Sequence, residues 1–324
     1  MRQLVRRRKP PARLSAGVVA LALLACERPP ATPDPAPASP GQPFSGERAR
    51  ERLAQLLRLP RALGDPRRIA AIDELATLLR SAGADTLDRL EHSGEDPWTH
   101  TRFAMTTLIA GVRPQAPHQF VLASHFDTRP WAESDPDLAR REQAIPGAND
   151  GSSGLAVLLE LAPLLADQLP PEVGFSLIFF DGEELGRPGA GPYCAGSRAL
   201  AQALATGSFP TVRAARFGVV LDMVGDRDLA LLQDPRSRAA APALVDAIWS
   251  IGQAAGFPQF VAAPGPDLVD DHVPLTAAGV PSLLIIDYSY PPWHTHADDL
   301  DQISAASLGA VGETLRLALR AQRW

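Results

Sequence analysis

The sequence predicts an α/β protein, a three-layer α/β/α sandwich built around a central mixed, mostly parallel twisted sheet. Apolar runs of strand length alternate along the chain with longer segments of helical pattern, which is the element order of an α/β fold. The strand-length runs are apolar on both faces, as expected for strands buried between two helical layers. With 324 residues and 45% apolar content, the chain is long enough to bury a substantial core.

Two helices are predicted before the first of these strands. The first covers residues 46–57 and the second residues 66–81. Asp65 is the predicted N-cap of the second helix and Pro66 its first residue, because Asp caps a helix well and Pro fits its first turn. Gly83 is the predicted stop.

The remaining elements follow as an alternation of strands and helices, with no internal repeat and no second domain. They are QFVLASHFDT (119–128), the helix SGLAVLLELAPLLADQL (153–169), FSLIFFDGEE (175–184), a helix around 198–205, FGVVLDMVGD (217–226), the helix PALVDAIWSIGQAAG (242–256), SLLIIDY (282–288) and the helix AASLGAVGETLRLALRAQ (305–322).

The first 26 residues have the layout of a secretory signal, a basic stretch followed by a short apolar one that cannot span a bilayer. It ends in LLAC, which resembles the lipobox of bacterial lipoproteins, so Cys26 is expected to carry a lipid anchor. A cleaved signal without lipid is the alternative. Residues 27–44, rich in Pro and Ala, are the predicted tether, and residues 45–324 are predicted to form a single folded domain. Glu27, rather than Asp, follows the cysteine, which resembles lipoproteins that are sorted to the outer membrane. The protein is therefore expected to be exported to the bacterial cell envelope.

Charge and rare residues exclude several classes of protein. The leader holds 6 of the 31 basic residues, which leaves 25 basic against 37 acidic side chains and a charge of about −12, unsuited to nucleic acid. Lys9 is the only lysine, so the mature chain has no Schiff-base or phosphate-loop lysine. Cys26 and Cys194 are the only cysteines, which excludes a disulfide framework. The protein is expected to be a monomer.

Residues of metal-ligand type follow one strand or loop after another. Strand ends of one sheet lie side by side, so residues distant in sequence can converge there, as a site built from His and carboxylates requires. Any one of these acids could instead cap a helix, but their recurrence favours a metal site. They are His125, Asp127, Asp150, Glu183, Glu184, Asp222 and His294.

Eight motifs follow one another along the chain: HFD, GANDGSSGLAVLLELA, FFDGEE, GSRALA, LDMVG, DDHVPL, AAGVPSLLII and WHTHADDLD. In this order they resemble the zinc-dependent exopeptidase family of aminopeptidases, and within it the animal-type glutaminyl-peptide cyclotransferases, or glutaminyl cyclases. The resemblance covers nearly all of the chain after the tether.

The resemblance implies a zinc ion held by Asp150, Glu184 and His294, with Glu183 as general acid/base. In the aminopeptidases, residues equivalent to His125 and Asp222 hold a second zinc that shares the bridging aspartate. In the cyclases the equivalent of Asp222 is instead hydrogen-bonded to an acid of the DDH motif, here Asp270, and one zinc is usual. One zinc is therefore expected and two are possible.

Three features favour the cyclase, which converts N-terminal Gln of peptides or proteins to pyroglutamate and releases ammonia. Trp293 directly precedes His294, and YCAGSRALA and DDHVPL resemble cyclase stretches. The substrate pocket is expected to include Trp293, Tyr288, Tyr290, Asp271 and His272.

The sequence also departs from the animal cyclases. Gly189 stands where they have a second Trp, so Tyr193, Tyr288 or Tyr290 would have to supply that wall. Ser124 before His125 excludes their disulfide, and residues 129–145 are expected to overhang the site. A zinc aminopeptidase is the alternative function, and a binding module without catalysis is a third.

Overall fold

The computed structural model describes residues 41–187, 189–191 and 193–322. The predicted leader, Cys26 and most of the tether lie outside the described residues. The strands in chain order are β1 Thr86–Glu95, β2 Arg102–Val112, β3 His118–His125, β4 Val173–Phe180, β5 Gly218–Asp222, β6 Leu231–Gln233, β7 Phe260–Pro264 and β8 Ser282–Ile286.

The helices alternate with these strands along most of the chain. They are α1 Gly46–Leu56, α2 Arg68–Ser81, α3 Ser153–Gln168, α4 Ala195–Ala205, α5 Pro210–Arg213, α6 Pro235–Ala240, α7 Pro242–Ala254, α8 His272–Ala277 and α9 Ala305–Ala321. Short 3₁₀ turns occur at Leu138–Arg140, Glu183–Leu185 and Leu300–Gln302. No helix within the described part of the chain is both long and apolar enough to cross a membrane.

Six strands form one sheet in the order β1-β2-β4-β3-β5-β8, and β6 pairs with β7 in a separate two-stranded sheet. β2 is antiparallel to both β1 and β4, whereas β3 is parallel to β4 and β5, and β5 is parallel to β8. His125 pairs with Phe180 and Asp222 pairs with Ile286 at the ends of their strands. The carboxyl ends of four parallel strands are therefore level at one edge of the sheet, and ligands collect at such an edge.

Two helical layers cover the sheet. Alternate residues of β4 face opposite layers: Phe175, Leu177 and Phe179 pack with α1, α2, α3, α7 and α9, and Ile178 and Phe180 pack with α4, α5 and α8. Each such side chain, once fully buried, contributes about 1.5–3 kcal/mol. The predicted three-layer α/β/α sandwich with a mixed, mostly parallel sheet is confirmed.

Two predictions near the start of the domain were wrong in detail. α2 begins at Arg68 rather than Pro66, because the Asp65 carboxylate accepts from the Arg67 backbone N–H and guanidinium and so closes a turn before the helix. Phe44 belongs to the domain rather than the tether, since it is buried against α9 and its N–H donates to Glu313 Oε2 at 2.9 Å. α1 and the stop at Gly83, whose φ is 99°, agree with prediction.

β1 and β2 were not predicted. β1 lies at the edge of the sheet, and its residues alternate between exposed and half-buried positions instead of forming an apolar run. β2 is apolar but is joined to β1 by a short antiparallel connection, so it lacks the intervening helix on which the prediction relied.

Candidate active site

The predicted strand-end residues converge at the level edge of the sheet. His125 ends β3 and Asp222 ends β5, while Glu183 and Glu184 open the 3₁₀ turn directly after β4. Asp150 lies in the loop before α3, and its backbone N–H donates to the Asp298 carboxylate at 3.2 Å.

Asp150, Glu184 and His294, here called the first triad, bring one ligand atom each within 4.8 Å of one another. His294 Nε2 lies 3.5 Å from Glu184 Oε2 and 3.7 Å from Asp150 Oδ2. All three side chains are buried. In the metal-free protein, burial alone would lower the pKa of His294, but Glu184 and Glu133 outweigh it and raise the pKa to about 9.

His125, Asp150 and Asp222, here called the second triad, share Asp150 with the first. His125 Nε2 lies 3.1 Å from Asp222 Oδ1 and 3.2 Å from Asp150 Oδ1, and its Nδ1 lies 3.1 Å from the main-chain oxygen of Asp127. Burial alone would lower the pKa of His125, but Asp222, Asp127 and Asp150 outweigh it and raise the pKa well above its ordinary value.

The first triad fits a divalent cation. Asp150 Oδ2 is buried without a hydrogen-bond partner among the described residues, although a buried carboxylate oxygen normally has one. Burial and the nearby Glu184 raise the pKa of Asp150 well above its ordinary range, so the acids need a compensating positive charge. Histidine nitrogen and carboxylate oxygen are both zinc ligands, and three protein ligands with an open fourth position is the arrangement of catalytic zinc.

The two adjacent glutamates point to different partners. The Asp127 carboxylate accepts from the backbone N–H groups of both Glu183 and Glu184, each at 3.1 Å, and so fixes the turn. The Glu184 side chain contacts His294, whereas Glu183 Oε1 accepts from the Cys194 thiol at 3.3 Å. Burial and the charge of Glu184 raise the pKa of Glu183 well above its ordinary value, which suits a group that carries a proton.

Asp181, which precedes these glutamates, braces the turn from below. Its buried carboxylate accepts from the Arg68 guanidinium and from the Thr106 N–H at 2.6 Å. The turn that presents Glu183 and Glu184 is thereby attached to α2 and β2.

Asp270 lies near Asp222, and both side chains line the same cavity. Asp222 Oδ1 contacts His125, and Asp270 Oδ1 accepts from the Asp271 N–H. Burial and the charge of Asp222 raise the pKa of Asp270 to about 6. Asp270 can therefore hold a proton near neutral pH.

A cavity of about 360 Å³ opens onto the first triad and Glu183. The Trp293 indole stacks on the His294 ring, with ring centroids 3.7 Å apart and planes at 25°, and Tyr288 lies 5.7 Å from Trp293. The complete lining is Asp150, Glu183, Glu184, Tyr193, Asp222, Met223, Asp267, Leu268, Val269, Asp270, Ile286, Tyr288, Trp293 and His294.

Three predicted pocket residues do not line this cavity. Tyr290 is buried behind it and donates its hydroxyl to Asp298 Oδ1 at 2.7 Å. Asp271 accepts from Ser197 Oγ at 2.5 Å, and His272 Nε2 lies 3.2 Å from Asp234. Their side chains lie behind the cavity wall, in the protein interior. Tyr193 and Tyr288, in contrast, line the cavity and are the tyrosines available to replace the second Trp of the animal cyclases.

The strand-end pattern did not find two residues that contact the first triad. Arg129 Nη1 donates to Glu184 Oε2 at 3.1 Å, and Glu133 Oε1 accepts from His294 Nδ1 at 2.8 Å. Both lie in the loop of residues 129–145, which was expected only to overhang the site. That loop does reach the site, since the Ser134 N–H also donates to the His294 carbonyl.

Comparison with known proteins gives consistent matches. The profile of peptidase family M28 matches residues 107–319. Porphyromonas gingivalis glutaminyl cyclase has 33% identity and a TM-score of 0.78, covering 85% of this chain and 98% of that one. A Zn-dependent exopeptidase from Parabacteroides distasonis has 27% identity and a TM-score of 0.78, covering 87% and 99%. The glutaminyl-peptide cyclotransferase of Bos taurus is 25% identical, covering 81% of this chain and 78% of its own length.

Proposed function

The chain belongs to peptidase family M28, and from this we propose that it is a zinc-dependent glutaminyl-peptide cyclotransferase, which converts N-terminal Gln to pyroglutamate and releases ammonia. The observation that carries the proposal is the indole of Trp293 stacked on His294, an apolar wall directly beside the metal-binding triad. The similarity to solved glutaminyl cyclases over almost their full length supports it.

The cavity suits one side chain at the N-terminus of a peptide. Trp293 and Tyr288 present aromatic faces for the methylene groups of glutamine, and the acids around the first triad form the polar side of the same cavity. The acids of the site, Glu183 and Asp270, face the space where the amine and carboxamide would meet. The substrates are therefore peptide or protein N-termini.

In the proposed reaction, the α-amine of the N-terminal Gln attacks the carbon of its own side-chain carboxamide. A C–N bond closes the five-membered ring and the bond to the carboxamide nitrogen breaks. The first triad would hold a zinc ion, which when bound supplies Lewis-acid polarisation of the carboxamide oxygen. Glu183 takes one proton from the attacking amine and returns it to the leaving nitrogen, which departs as ammonia.

Asp270 and Asp222 are the proposed orienting groups for the leaving amide. Asp222 is held by His125, and Asp270 has a pKa of about 6 through burial and the charge of Asp222. A carboxyl group in that range can present either a proton or a lone pair to an amide nitrogen near neutral pH.

One zinc ion per chain is the proposed content. Ligand atoms 2.0–2.2 Å from a tetrahedral zinc lie about 3.3–3.6 Å apart. Spacings of 3.5 and 3.7 Å in the first triad and of 3.1 and 3.2 Å in the second all lie within about 0.2 Å of this range, so the chemistry rather than the spacing decides the number of ions. Cyclisation needs no activated water, so a second metal has no role in it.

The second triad is the observation that favours the alternative, a zinc aminopeptidase with one or two zinc ions. With a second metal at His125 and Asp222, Glu183 would activate water against the first peptide bond. The two functions use the same residues and differ in the nucleophile, which is the substrate's own amine in the cyclase and water in the aminopeptidase.

Export to the bacterial envelope, with a lipid anchor at Cys26, is also part of the proposal. The support is the basic and apolar leader that ends in LLAC and the Pro-rich segment after it. Exported proteins whose signal cleavage exposes Gln would be suitable substrates. Metabolic labelling with a fatty-acid analogue, lost in Cys26→Ser, tests the anchor.

The test of activity supplies the purified protein with Gln-peptides and, separately, with aminoacyl arylamides. Ammonia release from the first, absent in Glu183→Gln, is expected. Arylamine release without ammonia would contradict the cyclase and support the aminopeptidase.

A further inference from the structure

Arg129 is a fully buried cation next to the first triad. Its guanidinium Nη1 donates to the Glu184 carbonyl at 2.8 Å, to Glu184 Oε2 at 3.1 Å and to the Gly186 carbonyl at 2.7 Å. Its Nε and Nη2 donate to the two oxygens of Glu133, at 3.1 and 2.5 Å. One planar fork therefore fixes both the backbone and the carboxylate of Glu184 and also orients a second acid.

Glu133 in turn contacts the histidine of the same triad. Its Oε1 accepts from His294 Nδ1 at 2.8 Å. A proton on Nδ1 leaves Nε2 as the free nitrogen, and Nε2 is the atom that faces Glu184 and Asp150. Metal-binding histidines are commonly oriented in this way by a carboxylate on the other ring nitrogen.

The arginine is itself held in place by aromatic rings. Its Cζ lies 5.1 Å from the centroid of the Trp131 ring and 5.6 Å from that of Tyr193. Arg187 lies over Trp131 as well, with Cζ 3.2 Å from the centroid, and is paired with Asp96 at 2.8 Å. The position of the Arg129 guanidinium is thus fixed by packing that does not involve the triad.

We propose that Arg129 and Glu133 are positioning residues for zinc, which hold Glu184 and His294 in binding geometry before the metal arrives. The two ligands lie 110 positions apart in the sequence, and the arginine–glutamate pair links them through one continuous set of hydrogen bonds. The inference rests on the proposed function, because it takes zinc as the metal of the first triad. It assigns the loop of residues 129–145 a role in metal affinity.

Glu133→Gln is the primary variant, because the Glu133 side chain is 24% exposed and the substitution keeps its size. The matched control is Glu142→Gln, an exposed glutamate of the same loop with the same change of charge. Arg129→Lys, which keeps the charge and loses the fork, is the second variant, and exposed Arg140→Lys is its control.

The readout is the zinc dissociation constant of full-length protein, stripped of metal and titrated with zinc against a chromogenic chelator. We expect Glu133→Gln and Arg129→Lys to raise the constant about 10- to 100-fold and both controls to leave it unchanged. The visible spectrum of the cobalt-substituted protein should change in the two variants only. Unchanged zinc affinity and cobalt spectrum in Glu133→Gln would overturn the inference.

Thermal unfolding of the metal-free proteins separates positioning from folding. Positioning predicts a metal-free midpoint for Glu133→Gln close to that of its control, together with weaker zinc binding. Weaker binding accompanied by an equal loss of metal-free stability would also overturn the inference. If the unaltered protein itself failed to bind zinc, the proposed function would fail first, so the two failures are distinguishable.

Discussion

The first and second triads share Asp150 and the same edge of the sheet, yet they are held in different ways. In the first, the histidine Nδ1 bonds to a side chain, Glu133, and a buried arginine contacts the glutamate. In the second, the histidine Nδ1 lies against a main-chain oxygen, and Nε2 lies at hydrogen-bond distance from both carboxylates. Residue types that serve equally well as ligands thus receive different hydrogen-bond partners in the two triads.

The supporting contacts, more than the ligand types, distinguish the two triads. Both contain one histidine and two carboxylates, so composition alone cannot rank them. The wider spacing, the orphaned Asp150 Oδ2 and the indole on His294 all occur on the side of the first triad. Substitutions in one triad or the other test this contrast.

The largest effect is expected from His294→Ala, which removes a ligand of the first triad. Loss of Lewis-acid assistance worth several kcal/mol corresponds to about a 10³-fold or greater fall in ammonia release. Zinc content measured by atomic absorption should fall with it. Full zinc content and normal turnover in this variant would show that the first triad does not bind the catalytic zinc.

Glu183→Gln comes next, because it keeps the shape of the side chain and removes its ability to accept a proton. A fall in kcat of about 10²- to 10⁴-fold is expected, with zinc content unchanged. Steady-state ammonia release and metal analysis on the same preparation provide the check. Loss of zinc in this variant would mean that Glu183 is a ligand.

His125→Ala tests the second triad. Zinc content should stay at that of the unaltered protein, because the first triad is intact. The free energy of unfolding should fall by about 3–5 kcal/mol, since two buried carboxylates lose their partner. Denaturant unfolding measures this, and His125→Gln, which restores a donor, is the control. A fall in zinc content by half would instead indicate two metals.

The smallest effect is expected from Trp293→Ala, which removes the wall stacked on His294. Aromatic stacking of about 0.5–1.5 kcal/mol corresponds to a fall in kcat/KM of about 2- to 12-fold. Trp293→Phe, which keeps an aromatic ring, should lower kcat/KM less than Trp293→Ala does. If Trp293→Ala cyclised Gln-peptides as well as the unaltered protein, the indole would have no part in the substrate pocket.

The alternation of apolar runs predicted the fold and the edge of the sheet at which the site lies, because parallel strands place their carboxyl ends together. It therefore placed Asp150, Glu184 and His294 correctly near one another. It missed β1 because an edge strand with one exposed face lacks the apolar run of a central strand. It placed the start of α2 at Pro66, since the sequence does not reveal that Asp65 bonds to Arg67.

The sequence could not predict the direction in which individual side chains point. Tyr290, Asp271 and His272 lie in motifs near the site, but each contacts an interior partner and none lines the cavity. Arg129 and Glu133 occupy a loop without periodicity, so no pattern marks them, although they contact the first triad directly. Asp298, which fixes the backbone of Asp150, was visible only as part of the WHTHADD motif.

A zinc titration of metal-free protein, with ammonia release from a Gln-peptide measured at each addition, tests whether one zinc ion is enough for cyclisation. Activity is expected to rise linearly and to reach its plateau at one zinc per chain. A plateau only at two zinc ions per chain, or release of the N-terminal residue without ammonia, would contradict a one-zinc cyclase.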